Sequence, residues 1–207
     1  MLDFATVRYR ASTLWLATGY SRWMNSSVSA NTSRKHYVAI LIGLQIAIFL
    51  SALDQTVLNV AIPKMAQALH GFDKSAWIIT AYLLFSTIAT PLSGKLADIY
   101  GAKSVLLVAT FLFGLASVFC GSAGLIDPLF GFDAIDQLIL ARAFQGIAGG
   151  AMIGLCFISI GDLFPVAERG KYQGFLAAAF IVAALIGPAL GGWLTDKNSW
   201  RIIFYLN

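Results

Sequence analysis

Asp54 is the single charged residue between Tyr37 and Pro63, in "FLSALDQTVLNVAIP". Arg142 is the single charged residue in a second apolar stretch, 137–160. An unpaired charge at the centre of a lipid bilayer costs at least ~2.5–3.5 kcal/mol, so each needs a partner, water or, for the acid, a proton. Asp54 lies eight residues before the outer end of its stretch, roughly 12 Å deep, and Arg142 five residues into its own, about 8 Å from the same face. The two can pair if their stretches are neighbours. Burial favours the protonated form of a carboxyl and a nearby cation favours the ionised form. That balance shifts as a cavity opens and closes, which makes reversible proton loading the chemistry these residue types could do. A buried structural tether is the plain alternative.

Other polar residues share the first stretch. At 100° per residue, Gln45, Ala52, Thr56 and Asn59 fall on one face and Asp54 on the opposite side. Either Gln45, Thr56 and Asn59 face a substrate while Asp54 faces a neighbouring helix, or the reverse holds.

The elements that must position these groups follow from composition. Hydrophobic residues make up 58% of the chain and charged ones 12%, about half the charged share of a soluble domain, so the class is integral membrane. Five apolar stretches, about 37–62, 75–93, 104–122, 137–160 and 173–194, each hold ~19 residues or more, enough to cross ~30 Å of hydrocarbon as helix. A sixth begins at "WRIIFYLN". No stretch alternates as a barrel strand would, so the expected fold is an all-α membrane bundle of five complete transmembrane helices and the start of a sixth. Residues 1–36, with five basic residues against Asp3, are expected to form a disordered basic cytoplasmic tail, and 37–207 the transmembrane bundle.

With the amino terminus inside, nine Lys and Arg fall in inner segments and four in outer ones, which predicts a cytoplasmic tail by the positive-inside rule. The basic excess is thus an orientation signal, and no nucleic-acid partner is expected. Cys120 and Cys156 lie in apolar stretches without CxxC spacing and read as packed thiols. His36 and His70 have no metal-ligand spacing; no metal, cofactor or enzymatic motif is expected, and ATP-driven pumping has no support.

Two further segments stand out. "AALIGPALGGWL" (183–194) places Gly187, Pro188, Gly191 and Gly192 in the last third of the fifth stretch. Pro188 removes a helix hydrogen bond, so a bend is expected, and Gly187 with Gly191 forms a small-xxx-small face for close helix approach. "GKLADIYGAK" (94–103) is expected to be the cytoplasmic connection between the second and third spans. There Gly94 and Gly101 would allow a tight crossing, Lys95 and Lys103 would face the cytoplasm, and Asp98 would sit beside two helix ends. A carboxylate gains ~0.3–1 kcal/mol from a helix N-terminus, a contact weak enough to be broken and remade.

Taken together, these segments resemble the major facilitator superfamily, most closely its drug:proton antiporter branch with fourteen predicted spans. "GKLADIYGAK" is similar to the signature loop G-x-L-a-D-r-x-G-r-k at Gly94, Leu96, Asp98, Gly101 and Lys103, with Ile99 and Ala102 at two basic positions. "LILARAFQGIAGGA" is similar to the span-4 motif at Arg142, Gln145 and Gly146. "AALIGPALGGWL" resembles the antiporter motif g-x-x-x-G-P-x-x-G-G with Ala183 at its first glycine, and "LDQTVLNVAIP" the span-1 motif of that branch. The resemblance covers roughly residues 38–207. It implies proton coupling by Asp54 and Arg142. It also implies a cytoplasmic latch of Gly94, Asp98, Gly101 and Lys103, and a leak-blocking kink at Gly187, Pro188, Gly191 and Gly192. The implied activity is proton-coupled export of small amphipathic or drug-like compounds across the plasma membrane, with lipid, protons and a small-molecule substrate as partners.

Carriers of this kind rock two bundles of about six helices around a midplane site. The chain is therefore expected to be an incomplete amino-terminal half, a truncated product or split gene, paired with a missing carboxy-terminal half or a complementary chain. A non-transporting remnant or membrane scaffold is the alternative from a different class.

Overall fold

The computed structural model describes residues 34–125, 131, 133–197 and 199–207; the expected tail lies almost wholly outside them. The chain divides into two compact units, residues 1–41 and 42–207. Of the first, only 34–41 are described, and they are helical.

Five long helices carry the fold: α1 (Arg34–Ala68), α2 (Ser75–Tyr100), α3 (Ala102–Ser122), α4 (Ala134–Leu163) and α5 (Val166–Lys197), followed by a short α6 (Ile202–Tyr205). All five are long and apolar enough to cross a membrane, and the described residues contain no strand. Each apolar stretch lies inside a longer helix, because hydropathy marks only the part that hydrocarbon would cover. The backbone hydrogen bonds continue into more polar sequence, where the carbonyls and amides still bond best to one another.

This corrects two expectations. The first helix does not end near residue 62 but runs through Pro63 to Ala68. It stops there through a left-handed His70, φ 52°, with the Gly71 amide donating to the Ala66 carbonyl at 3.0 Å, the paired termination that usually employs glycine. The segment 94–103 is not a loop. Residues 94–100 complete α2, and Gly101 alone separates α2 from α3 at φ 83° and ψ 136°, its amide donating to Ala97 at 2.8 Å. Gly101 thus makes the tight turn that a side-chain-bearing residue would resist, whereas Gly94 sits within a helix.

The most buried helix is α4, and it packs most extensively on α2. The reason is a row of glycines four residues apart, which places small residues on one helical face. A Cβ on Gly146 would stand 2.9 Å from Tyr82 Cα, on Gly150 2.6 Å from Ser86 Cα, and on Gly154 3.0 Å from Ser93 Oγ. The Thr90 hydroxyl donates across this seam to the Gly150 carbonyl at 3.1 Å. A second seam joins α1 to α5. There a Cβ on Gly187 would stand 2.6 Å from Thr56 Cβ, and one on Gly191 2.7 Å from the Val57 carbonyl oxygen.

Toward one end of the bundle these helices enclose an apolar core that includes Leu58, Met65, Ile78, Leu138, Trp200, Ile203 and Phe204. The core immediately adjoins the polar cluster described next.

Candidate functional site

Four helices and the turn after α6 converge on Asp54. The carboxylate is 0% exposed, and Arg142 Nη1 donates to its Oδ2 at 2.7 Å from a side chain 1% exposed. So α1 and α4 are neighbours at the depth of the two charges. The same Nη1 donates to Gln145 Oε1 at 2.7 Å, and the amide of Gln145 returns to Asp54 Oδ1 at 3.2 Å and to Ser117 Oγ at 3.2 Å. Arg142 and Gln145 can act together because three residues along a helix bring side chains to one face.

Other elements close the shell. Tyr82 of α2 lies under the guanidinium, 4.3 Å from its ring centroid to Arg142 Cζ, a cation–π contact whose worth rises once water is excluded. Its hydroxyl is held at 3.2 Å by Ser51 Oγ of α1. The Cys120 thiol of α3 donates to Gln145 Oε1 at 3.3 Å. Ser117 donates to the Phe204 carbonyl at 2.7 Å, tying α6 to α3. Asn207, just beyond α6, donates to Asp54 Oδ1 at 2.9 Å and to Ser117 Oγ at 3.1 Å. Ser51, Tyr82, Ser117, Arg142 and Gln145 are all buried.

Almost every polar atom in this cluster is satisfied. Asp54 accepts from three donors, Arg142, Gln145 and Asn207. The exception is Arg142 Nε, buried with no hydrogen-bond partner.

The remaining sequence candidates are dispersed. Thr56 does not stand open on a polar face: its hydroxyl donates to the Ala183 carbonyl of α5 at 3.1 Å, so its side of α1 is covered at that level. Asn59 is exposed and Gln45 half-buried, with Gln45 Oε1 lacking a hydrogen-bond partner. At the far end of α2 Lys95 and Asp98 are exposed, as is Lys103 at the start of α3, and Asp98 forms no ion pair among the described residues. Gly94 faces α4, where a Cβ would touch Ile158 at 3.4 Å. Gly187 and Gly191 face α1, Gly192 has open space around it, and Pro188 is exposed within α5. Cys156 donates to the Leu44 carbonyl at 3.7 Å, and both cysteines are free and buried.

Sequence reasoning missed Ser51, Tyr82, Ser117 and Asn207 as members of the cluster. Each is unremarkable in type, and no local pattern sets it apart. The one available signal was helical spacing from known polar positions, as Ser51 lies three residues before Asp54.

Membrane-length helices closing over a buried charged network define a multi-pass α-helical membrane protein. Residues 44–207 match the sequence profile of the Major Facilitator Superfamily, and the chain belongs to that family. It is 41% identical over 168 residues to the Multidrug transporter protein MdtP of Bacillus subtilis (strain 168), an alignment covering 81% of this chain and 29% of that protein. It is 42% identical over 167 residues to the Efflux pump dotC of Dothistroma septosporum, covering 81% and 27%. With Multidrug resistance protein 3 of Bacillus subtilis (strain 168), identity is 36% over 184 residues, covering 89% and 34%. The chain spans about a third of the length of these relatives.

Proposed function

We propose that this chain forms the amino-terminal, proton-handling bundle of a transporter that exports small amphipathic or drug-like compounds in exchange for protons. The observation that carries the reading is the Asp54–Arg142 pair. It is a carboxylate sealed from water and hydrogen-bonded to an arginine and two amides, on helices long enough to cross a bilayer. In such a place a carboxyl is either permanently tied or alternately loaded, and the Arg142 Nε, buried without a hydrogen-bond partner among the described residues, favours the second. Protonating Asp54 neutralises it, weakens all three bonds, and frees Arg142 to turn toward another acceptor. The names of the relatives, a multidrug transporter and an efflux pump, support the export direction and the substrate class.

In this reading Gly94, Asp98, Gly101 and Lys103 form the cytoplasmic latch. Asp98, exposed and unpaired among the described residues, offers its carboxylate to a partner outside this bundle. Gly187 and Gly191 seal α5 to α1 beside the site, which limits leak. Gln45 and Asn59 remain the substrate-facing candidates on α1, while Thr56 serves the seal. The tail lies in the cytoplasm, by the distribution of basic residues, and the protein resides in the plasma membrane.

The test is Asp54→Asn in the complete transporter carrying this bundle, assayed in vesicles with and without an imposed proton gradient. Gradient-driven efflux is expected to vanish while membrane insertion is unchanged. Normal efflux from that variant would remove Asp54 from the mechanism.

A further inference from the structure

Three donors reach Asp54, and they are not equivalent in origin. Arg142 and Gln145 stand three residues apart on one helix and move together. Asn207 arrives from a separate element, the turn beyond α6, which is itself fastened to α3 by the Ser117 hydroxyl on the Phe204 carbonyl.

The hydrogen count sharpens the difference. Ser117 spends its one hydrogen on Phe204, so its oxygen can only accept, and it accepts from both Gln145 and Asn207. Gln145 Nε2 and Asn207 Nδ2 therefore do the same job: each has two hydrogens, one aimed at Ser117 Oγ and one at Asp54 Oδ1. The Asn207 contact with the carboxylate, at 2.9 Å, is shorter than that of Gln145, at 3.2 Å. Asn207 is also half-buried where Gln145 is wholly buried, so it is the donor at the edge of the cluster.

We infer that Asn207 is a positioning residue for proton exchange: its amide holds Asp54 in the ionised form, and the seating of the α6 segment on α3 thereby sets how readily Asp54 takes a proton. The inference rests on the reading of Asp54 as the proton carrier. The titratable and charged groups facing Asp54 are Arg142 from α4, Tyr82 from α2 and Cys120 from α3. Arg142 alone is a cation, and its charge favours the carboxylate it contacts. Asn207 adjusts that stabilisation without changing the charge count. A donor withdrawn from the ionised form shifts the balance toward the protonated one.

The experiment is pH-difference infrared spectroscopy of the complete transporter carrying this bundle, reconstituted in lipid. It follows the carboxylic C=O band of Asp54, assigned by its absence in Asp54→Asn. Asn207→Leu, which keeps the branched heavy-atom skeleton and removes the amide, is expected to move the midpoint of that band upward by about one pH unit, a roughly tenfold gain in proton affinity. Asn207→Gln, which keeps both amide hydrogens, is expected to lie nearer the unaltered chain. A purely structural role would leave the midpoint in place. An unchanged midpoint in Asn207→Leu, with Gln145→Leu shifting it, would overturn the inference and leave the proton reading standing. Should the leucine variant not insert, Asn207→Thr decides by the same criterion. If no band depends on Asp54 at any pH, the proton reading falls, and the inference falls with it.

Discussion

The buried pair Asp54–Arg142 and the rim pair Lys74–Asp136 have nearly the same length, 2.7 and 2.8 Å. Both attach a neighbouring helical element to α4. Their surroundings differ completely. The first has side-chain exposures of 0% and 1%, whereas the second leaves Lys74 40% and Asp136 29% exposed. A third contact, Lys64 to Asp196, joins α1 and α5 with still greater exposure. Distance therefore says little about what an ion pair does. At the rim, water and salt screen each charge whether or not it is paired. In the interior, the partner is what permits the charge to exist there at all.

The largest effect is expected from breaking the interior pair on one side. Arg142→Met leaves the Asp54 carboxylate buried with its two amide donors but no cation, and should destabilise the bundle by about 3–5 kcal/mol. Denaturation in detergent micelles, followed by loss of helical signal, would show it. Asp54→Leu combined with Arg142→Met should recover most of that stability, because no uncompensated charge remains. The complete transporter bearing both changes should nonetheless fail to export. A double variant as unstable as Arg142→Met would mean that the rest of the network, rather than the charges, carries the cost.

An intermediate effect is expected from the seam that holds Arg142 in place. Gly150→Leu puts a side chain where Ser86 Cα already sits, so α2 and α4 must separate, at about 1–3 kcal/mol or more. The same substitution at Gly192, which has open space, should have little effect in the same assay.

The smallest effect is expected at the rim. Lys74→Ala should lower stability slightly at low ionic strength and not measurably at about 1 M salt, where the Debye length is about 3 Å. A salt-independent loss comparable to that of Arg142→Met would erase the contrast between rim and interior.

These two settings also mark how far sequence reading reached. The five helices were legible because lipid-length apolar stretches leave few other solutions. The pairing of Asp54 with Arg142 could be anticipated because two lone opposite charges at similar depth have few other partners. The rest of the cluster was not legible. Ser117, Tyr82 and Asn207 enter from three different elements, and only packing brings them together. Helical periodicity grouped Gln45, Thr56 and Asn59 on one face, but it could not say what lies against that face, and α5 covers Thr56. The stretch 94–103 misled for a related reason: glycines and charges mark where hydrocarbon ends, yet seven of those ten residues, Gly94 to Tyr100, still belong to α2. Gly146, Gly150 and Gly154 had the right spacing to announce the seam with α2, a pattern recognised only at Gly187 and Gly191.

That seam has a mechanical consequence. With glycine hydrogens against the α2 backbone at Gly146 and Gly150, and against the Ser93 and Thr90 side chains at Gly154, α2 and α4 cannot slide or roll against each other without collision, which makes them a rigid pair. Arg142 and the ring beneath it then keep their spacing, so in the proposed proton exchange the release of Asp54 falls to α1 or α6 moving past this rigid pair.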